Sequence, residues 1–278
     1  MRGRLARVTP DRSAKPLLRP PLKWAGGKRW QLPLLEPVWA QHRERRLVEP
    51  FCGGLGVALG LSPDRALLND VNSHVINFYR WVSRGLCADL PMKNDRATYD
   101  SYRRRFNTLL QEGRGRRREA ALLFYYLNRT GYNGLCRFNR SGAFNVPFGR
   151  YARIRYEEDF LRYRVRFANW TFTAVDVERV RYEPDDFIYA DPPYDVNFTQ
   201  YSSGGFDWDD QVRTARRLAR HPGPVVLVNQ ATSRIEALYR EHGYDLVFLD
   251  GPRRISCTGD RRPARELLAT RNLEVPRP

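Results

Sequence analysis

The sequence predicts an open, mainly parallel α/β sheet, interrupted by a helical insertion that carries a hairpin. Three observations predict it. Short apolar runs at 47–48, 67–68, 187–190 and 225–228 alternate with segments of helical period. The first run enters a glycine-rich turn, Glu49-Pro50-Phe51-Cys52-Gly53-Gly54-Leu55-Gly56, and Val57-Ala58-Leu59 then starts a helix. The alternation breaks between about residues 77 and 156, where the pattern turns helical and then loop-like. The expected division is a basic arm at 1–20, a core at 21–76 and 157–278, and an insertion at 77–156. A chain of 278 residues has ample length for such a core.

Each element has its own reason. The stretch to residue 20 is rich in Arg and Pro without a continuous apolar segment, so it reads as a mobile arm and not a secretory signal. Glycines at a strand-to-helix turn let a ligand approach the backbone closely. The next strand, Leu67-Leu68-Asn69-Asp70, ends in an acid about 20 residues after the first. That separation lets a carboxylate reach ribose hydroxyls in a nucleotide-type α/β fold. No Lys-Ser or Lys-Thr follows the glycines, which argues against a phosphate-binding P-loop. In the insertion, residues 97–110 bring Tyr99, Tyr102, Phe106, Leu109 and Leu110 to one helical face, and Gly113 can end that helix. Residues 119–127 are apolar nearly all round and read as a buried helix. Tyr132-Asn133-Gly134 and Ser141-Gly142 are turn chemistry, marking a hairpin or loop that carries Tyr132, Asn133, Arg137 and Arg140 into solvent. A ring, an amide and a guanidinium together suit base-edge readout, although an ordinary surface hairpin has the same composition. Strands follow at 171–175, 187–190, 225–228 and 244–249, the last after a helix at 233–242.

The most specific segment is Asp191-Pro192-Pro193-Tyr194, directly after the apolar run Phe187-Ile188-Tyr189-Ala190. Prolines lack an N–H and fix their own backbone, so the carbonyl between them is a free acceptor. Asp191 offers a second acceptor and Tyr194 a stacking face. Two acceptors around one amine above a ring suit a nucleobase amino group about to act as a nucleophile. A plain Pro-Pro turn is the competing reading of these four residues alone.

Composition points to a polyanionic partner. The net charge is +17 and arginine dominates, as in Arg103-Arg104-Arg105 and Arg116-Arg117-Arg118. Solubility does not need an excess of this size. No amphipathic anchor, lipidation signal or bilayer-length apolar run is present. Cys52, Cys87, Cys136 and Cys257 are scattered and the four histidines form no ligand pattern, so a reduced intracellular chain with no metal is expected. No Pro-Cys nucleophile of the cytosine-C5 methylating kind occurs.

Five segments in order carry a resemblance: Lys23-Trp24-Ala25-Gly26-Gly27-Lys28, the Glu-Pro-Phe glycine turn, Leu127-Asn128-Arg129-Thr130-Gly131-Tyr132-Asn133-Gly134-Leu135-Cys136-Arg137 with Phe144-Asn145-Val146-Pro147-Phe148-Gly149-Arg150-Tyr151, Asp-Pro-Pro-Tyr, and Asn197-Phe198-Thr199. Most of the chain beyond the arm resembles the Dam family of DNA adenine-N6 methyltransferases. The resemblance implies a Rossmann-like methyltransferase sheet that binds S-adenosylmethionine, with residues 77–156 as the target-recognition domain and 252–268 as a basic terminal hairpin and tail. It places Trp24, Lys28, Glu49, Phe51, Gly53, Asp70 and Asp191 at the cofactor, and Asp191, Pro192, Pro193 and Tyr194 in catalysis. Residue type alone would equally allow a core Trp24 and a surface Lys28. Lys23, Tyr132, Asn133, Leu135, Arg137, Pro147, Arg150 and Asn197 are implied to meet DNA. The hairpin is similar to the family element that reads GATC, with Arg137 on a guanine and Tyr132 entering the base stack. Leu55 departs from the family pattern, which often has a glycine there. The implied partner is double-stranded DNA; the protein is expected to be a monomer in solution, in the cytoplasm at the nucleoid, or in a host's cytoplasm if the gene is viral. The alternatives are methylation of cytosine N4 or of an RNA base on the same fold, and a non-catalytic DNA-binding relative.

Overall fold

The computed structural model describes residues 18–195, 205–251 and 264–273. Most of the basic arm, Asn197 and residues 252–263 lie outside the described residues. In chain order the elements are α1 (Leu32–Ala40), β1 (Leu47–Glu49), α2 (Ala58–Leu61), β2 (Ala66–Asn69), α3 (Ser73–Ser83), α4 (Arg96–Gln111), α5 (Arg118–Thr130), α6 (Leu161–Arg166), β3 (Trp170–Thr173), β4 (Phe187–Ala190), α7 (Trp208–Ala219), β5 (Val225–Gln230), α8 (Ser233–Glu241), β6 (Asp245–Gly251) and β7 (Ala264–Arg271).

The sheet order is β3-β2-β1-β4-β5-β7-β6. The first five strands are parallel, and β7 runs antiparallel to both of its neighbours. Strands β1, β2 and β4 are buried along their whole length, as continuous apolar runs in a covered parallel sheet require. Alternate residues feed opposite faces. Leu47, Leu68, Phe187, Tyr189, Val226 and Val228 face the core that holds α1, α3 and α5. Val48, Leu67, Ile188, Ala190, Val225 and Leu227 face α7 and α8, against Ala215, Leu218, Ile235 and Leu238.

The segment expected to be a basic terminal hairpin and tail instead supplies β7 from residue 264 onward. It sits inside the sheet, with Leu227 opposite Ala269 and Leu246 opposite the same residue on the other side. Leu267, Leu268 and Ala269 are fully buried, but Arg265, Glu266 and Arg271 flank them and disguise the strand in sequence.

The insertion shares the main core. Asn72 caps α3, its side-chain oxygen accepting from the His74 and Val75 amides, and Asp95 caps α4 through the Thr98 amide. The α5 helix is buried nearly all round, and Phe78 of α3 stacks on Tyr125 at 5.2 Å. The expected boundary at 76/77 falls inside α3, so this helix belongs to both parts of the fold. Among the described residues no helix is long and apolar enough to cross a membrane.

Candidate active site and recognition hairpin

The C-terminal ends of β1, β2 and β4 converge, which is where open α/β sheets bind ligands. Asn69, at the end of β2, fixes the convergence. Its amide nitrogen donates to the Pro50 and Val175 carbonyls at 2.9 and 3.0 Å, and its oxygen accepts from the Thr173 hydroxyl and the Val175 amide. The glycine turn then bends back over β2. Gly53 donates its amide to Asp70 Oδ2 at 3.0 Å, and the Tyr79 hydroxyl donates to the Gly53 carbonyl at 2.8 Å. Trp24 lies flush against this turn. A Cβ on Gly53 would come within 2.4 Å of the indole nitrogen, and one on Gly54 within 2.5 Å of the Trp24 Cβ. Leu55 adopts the left-handed region at φ +60, so a leucine holds a conformation that glycine favours, at a cost of about 1 kcal/mol. Its amide still donates to the Cys52 carbonyl at 2.8 Å. The turn thus closes despite the missing glycine. Asp70 also accepts from the Asn72 amide at 2.8 Å, and burial pushes its carboxyl up to about 6.

Lys28 is the electrostatic centre of the site. Only 6 % of it is exposed, because its ammonium meets Asp191 Oδ2 at 3.0 Å, donates to the Gly26 carbonyl at 2.7 Å and lies 4.6 Å from the centre of the Tyr194 ring. Asp191 Oδ1 and Glu49 Oε1 are buried and have no hydrogen-bond partner among the described residues. Burial pushes both carboxyls above their ordinary range; the Lys28 ammonium opposes this at Asp191, and the Asp191 charge adds to it at Glu49. Phe51 meets Phe206 edge-to-face at 5.7 Å beside the turn. No donor among the described residues occupies the Pro192 carbonyl, whereas Gln211 donates to the Pro193 carbonyl at 2.8 Å.

Four polar residues near this centre were not foreseen from sequence. Gln31 accepts from the Tyr189 hydroxyl at 2.8 Å and donates to Glu266 of β7 at 3.2 Å. Glu266 lies beside the Tyr194 hydroxyl, and burial holds its carboxyl above the ordinary range. Gln211 and Asn229 form a second buried pair on the opposite side of the loop. The only sequence signal among the four is Asn229, a polar residue ending the apolar run of β5.

Of the expected recognition residues, Tyr132, Asn133, Leu135, Arg137, Pro147 and Arg150 lie on or beside a short antiparallel hairpin, bridged at Gly131–Phe148 and Phe138–Phe144. Asn107 of α4 grips the Phe144 backbone through both its amide and its carbonyl. Tyr132 is 50 % exposed, Asn133 and Arg137 are exposed, and Leu135 is half-buried. The Arg137 guanidinium donates to the Asn145 side chain at 2.9 Å and to its carbonyl at 3.1 Å. Pro147 and Arg150 are exposed on the returning limb, and the Pro147 carbonyl accepts from the Tyr132 amide. Lys23 is more embedded than expected of a DNA contact. Its ammonium donates to the Arg129 carbonyl at 2.8 Å and lies 3.5 Å from the Tyr151 ring centre, and burial lowers it to about 8. The arginine runs of the insertion are partly neutralised by Arg105–Glu119, Arg103–Asp100 and Arg118–Asp89 pairs.

Residues 24–249 match the family model of the D12 class N6 adenine-specific DNA methyltransferases. The chain is 36 % identical over 270 residues to a DNA adenine methylase of Vibrio cholerae serotype O1, covering 89 % of this chain and 94 % of that protein. It is 31 % identical over 264 residues to the retron Ec67 DNA adenine methylase of Escherichia coli, covering 89 % and 90 % of the two chains. It is 33 % identical over 279 residues to the DNA N-6-adenine-methyltransferase of Escherichia phage P1, covering 91 % of this chain and 36 % of that larger protein. A match of this extent, on a sheet whose strand ends carry the glycine turn and the Asp-Pro-Pro-Tyr loop, assigns the family: the chain belongs to the D12 class N6 adenine-specific DNA methyltransferases.

Proposed function

We propose that this methyltransferase modifies the adenine of GATC in double-stranded DNA, with S-adenosylmethionine as methyl donor and the target base turned out of the helix. The observation that carries the chemistry is the pair of open acceptors at the end of β4. Asp191 Oδ1 is buried without a hydrogen-bond partner among the described residues, and no donor among them reaches the Pro192 carbonyl. A buried acceptor without a partner costs about 1–3 kcal/mol, so a ligand that supplies donors there binds with advantage.

The residues fit the cofactor class. Gly53 and Gly54 leave no room for a Cβ against Trp24, so the indole packs flush on the turn whose Gly53 amide binds Asp70. Asp70 accepts from the ribose hydroxyls, and Phe51 offers an apolar ring to the adenine half. The open oxygens of Asp191 and Glu49 suit an ammonium donor such as that of the methionine half. When bound, S-adenosylmethionine supplies an electrophilic sulfonium methyl.

The chain's own residues then orient the nucleophile. A paired adenine cannot present its amine, so the base leaves the stack. Asp191 and the Pro192 carbonyl accept the two N6 hydrogens, which turns the nitrogen lone pair away from the loop and toward the methyl. Tyr194 stacks on the ring. Lys28 holds Asp191 in place and offsets the burial of its charge. Positioning is the main contribution, because the donor carries its own activation. The hairpin supplies target choice, with Arg137 reading a guanine edge, Tyr132 entering the stack, and Asn133, Leu135, Pro147 and Arg150 lining the duplex.

The test is methylation of plasmid DNA, followed by sequencing that reports modified adenines in context and by nucleoside analysis of the product. N6-methyladenine confined to GATC is expected. N4-methylcytosine, or modified adenines spread evenly over other contexts, would overturn this reading.

A further inference from the structure

We infer that Gln211 and Asn229 are positioning residues of the Asp-Pro-Pro-Tyr loop. They occupy the Pro193 carbonyl and the Asp195 amide, and so select the Pro192 carbonyl as the one that receives the substrate amine. This inference rests on the function proposed above.

The geometry is a closed relay. Gln211, on α7, donates from Nε2 to the Pro193 carbonyl at 2.8 Å. Asn229, at the end of β5, donates from Nδ2 to Gln211 Oε1 at 3.0 Å and to the Tyr239 hydroxyl at 3.1 Å. Asn229 Oδ1 accepts from the Asp195 amide at 3.3 Å and from the Gln230 amide at 2.9 Å. Both side chains are buried, with 2 % and 0 % exposed. The backbone amides of Asp195 and Gln230 can only donate, so the group of Asn229 that faces them is its oxygen. Its nitrogen must therefore face Gln211, which presents its own oxygen there and its nitrogen to Pro193. No flipped arrangement satisfies the set. In a buried setting a flip would leave several groups unpaired at once.

Three elements thereby hold one loop. Besides α7 and β5, α8 contributes Tyr239 and also Arg234, which pairs with Asp195 while lying 4.7 Å from the Trp208 ring centre. The peptide groups after Pro192 are fixed from outside the reaction centre. With the Pro193 carbonyl held by α7, the neighbouring Pro192 carbonyl is left without a donor among the described residues. Neither amide side chain hydrogen-bonds to Lys28, Asp191 or the glycine turn, so a change here reaches the chemistry only through the loop.

The experiment measures single-turnover methyl transfer to a GATC duplex at saturating cofactor. It also measures the dissociation constants of cofactor and duplex and the melting temperature. Gln211→Met keeps the volume and removes the donor. Gln211→Glu keeps the acceptor for Asn229 but turns a carboxylate oxygen toward the Pro193 carbonyl. Both are expected to lower the transfer rate about tenfold or more, Glu more than Met, while both dissociation constants stay within about twofold of the unsubstituted enzyme. Rates within about twofold of the unsubstituted enzyme in either folded variant overturn the inference. So does a loss of rate matched by an equal loss of cofactor affinity, which marks a merely structural role. If the unsubstituted enzyme itself transfers no methyl to adenine, the proposed function fails first, and the selection of Pro192 fails with it.

Discussion

Gly134 of the hairpin lies against Lys23 so closely that a Cβ there would come within 2.3 Å of the Lys23 Cβ. Lys23 is also clamped by Asn128 of α5, which accepts from its amide and donates to its carbonyl, both at 2.8 Å. The next residue, Trp24, lies under the glycine turn. One short segment therefore connects the element expected to choose the target with the floor of the expected cofactor site. Under the proposed function, the distance between base readout and methyl transfer runs through this contact.

Gly134→Ala tests that spacing. The backbone there has φ +63, which costs an alanine about 1 kcal/mol, and the overlap with Lys23 forces the hairpin outward. Cofactor affinity is expected to hold, while kcat/KM on GATC duplex falls about tenfold or more, since small misplacements are costly in positioned chemistry. Unchanged kcat/KM would mean that the contact carries no register.

Asp191→Ala is expected to abolish methyl transfer and leave duplex affinity nearly intact. The substitution removes the open Oδ1 and also strands the buried Lys28 ammonium, whose carboxylate partner lies 3.0 Å away. Labelled-methyl incorporation within tenfold of the unsubstituted enzyme would contradict the assigned role, because tenfold is only about 1.4 kcal/mol of barrier. Asp191→Asn separates the two effects, since it keeps an acceptor oxygen but removes the charge facing Lys28.

Local chemistry made parts of this arrangement legible in sequence. The Asp-Pro-Pro-Tyr loop announces itself because two prolines after an apolar run fix their backbone whatever surrounds them. The glycine turn and Asp70 are legible for a similar reason, with Asp70 only 17 positions from the Gly53 amide it accepts from. The β7 strand is not legible, since its burial depends on β5 and β6 enclosing three apolar residues among charges. The embedding of Lys23 was equally hidden, because its partner carbonyl at Arg129 is 106 positions away. Gln31 and Glu266 meet across 235 positions, and neither residue type signals a buried role.

Cofactor affinity should depend on pH through Asp70. Burial raises its carboxyl from 3.8 to about 6, opposed by the Asn72 and Gly53 amides. An acid raised in the folded state binds its proton more tightly there than when unfolded. Its effect on stability is therefore favourable at acid pH and is lost as pH rises from about 4 to about 6. Ligand binding runs the other way, because the ionised carboxylate accepts at both oxygens and makes the stronger, charge-assisted bonds to ribose hydroxyls. The dissociation constant of S-adenosylmethionine is expected to rise as pH falls through about 6, and Asp70→Asn should weaken binding and flatten that change. Calorimetric titration between about pH 5 and 7.5 reads both. A flat profile in the unsubstituted enzyme would remove Asp70 from the cofactor contact.

Arg137 carries the prediction about target choice. Its guanidinium is steadied by two hydrogen bonds to Asn145 across the hairpin, and the side chain remains exposed. A guanidinium fixed before contact loses little freedom on binding, so its pairing with a guanine edge is favoured. A well-placed bidentate contact of this kind is worth about 1–3 kcal/mol of discrimination between bases. Arg137→Ala should then cut activity on GATC by about 5- to 150-fold while changing activity on sites altered at that guanine much less. Selectivity would fall along with rate. Asn145→Ala removes the side-chain partner of Arg137 and should give the same direction with a smaller effect, since the Asn145 carbonyl still accepts. Both are read from kcat/KM on a panel of duplexes changed one base at a time. If Arg137→Ala lowered activity equally on every duplex, the guanidinium would be a phosphate anchor, and sequence choice would lie elsewhere on the hairpin.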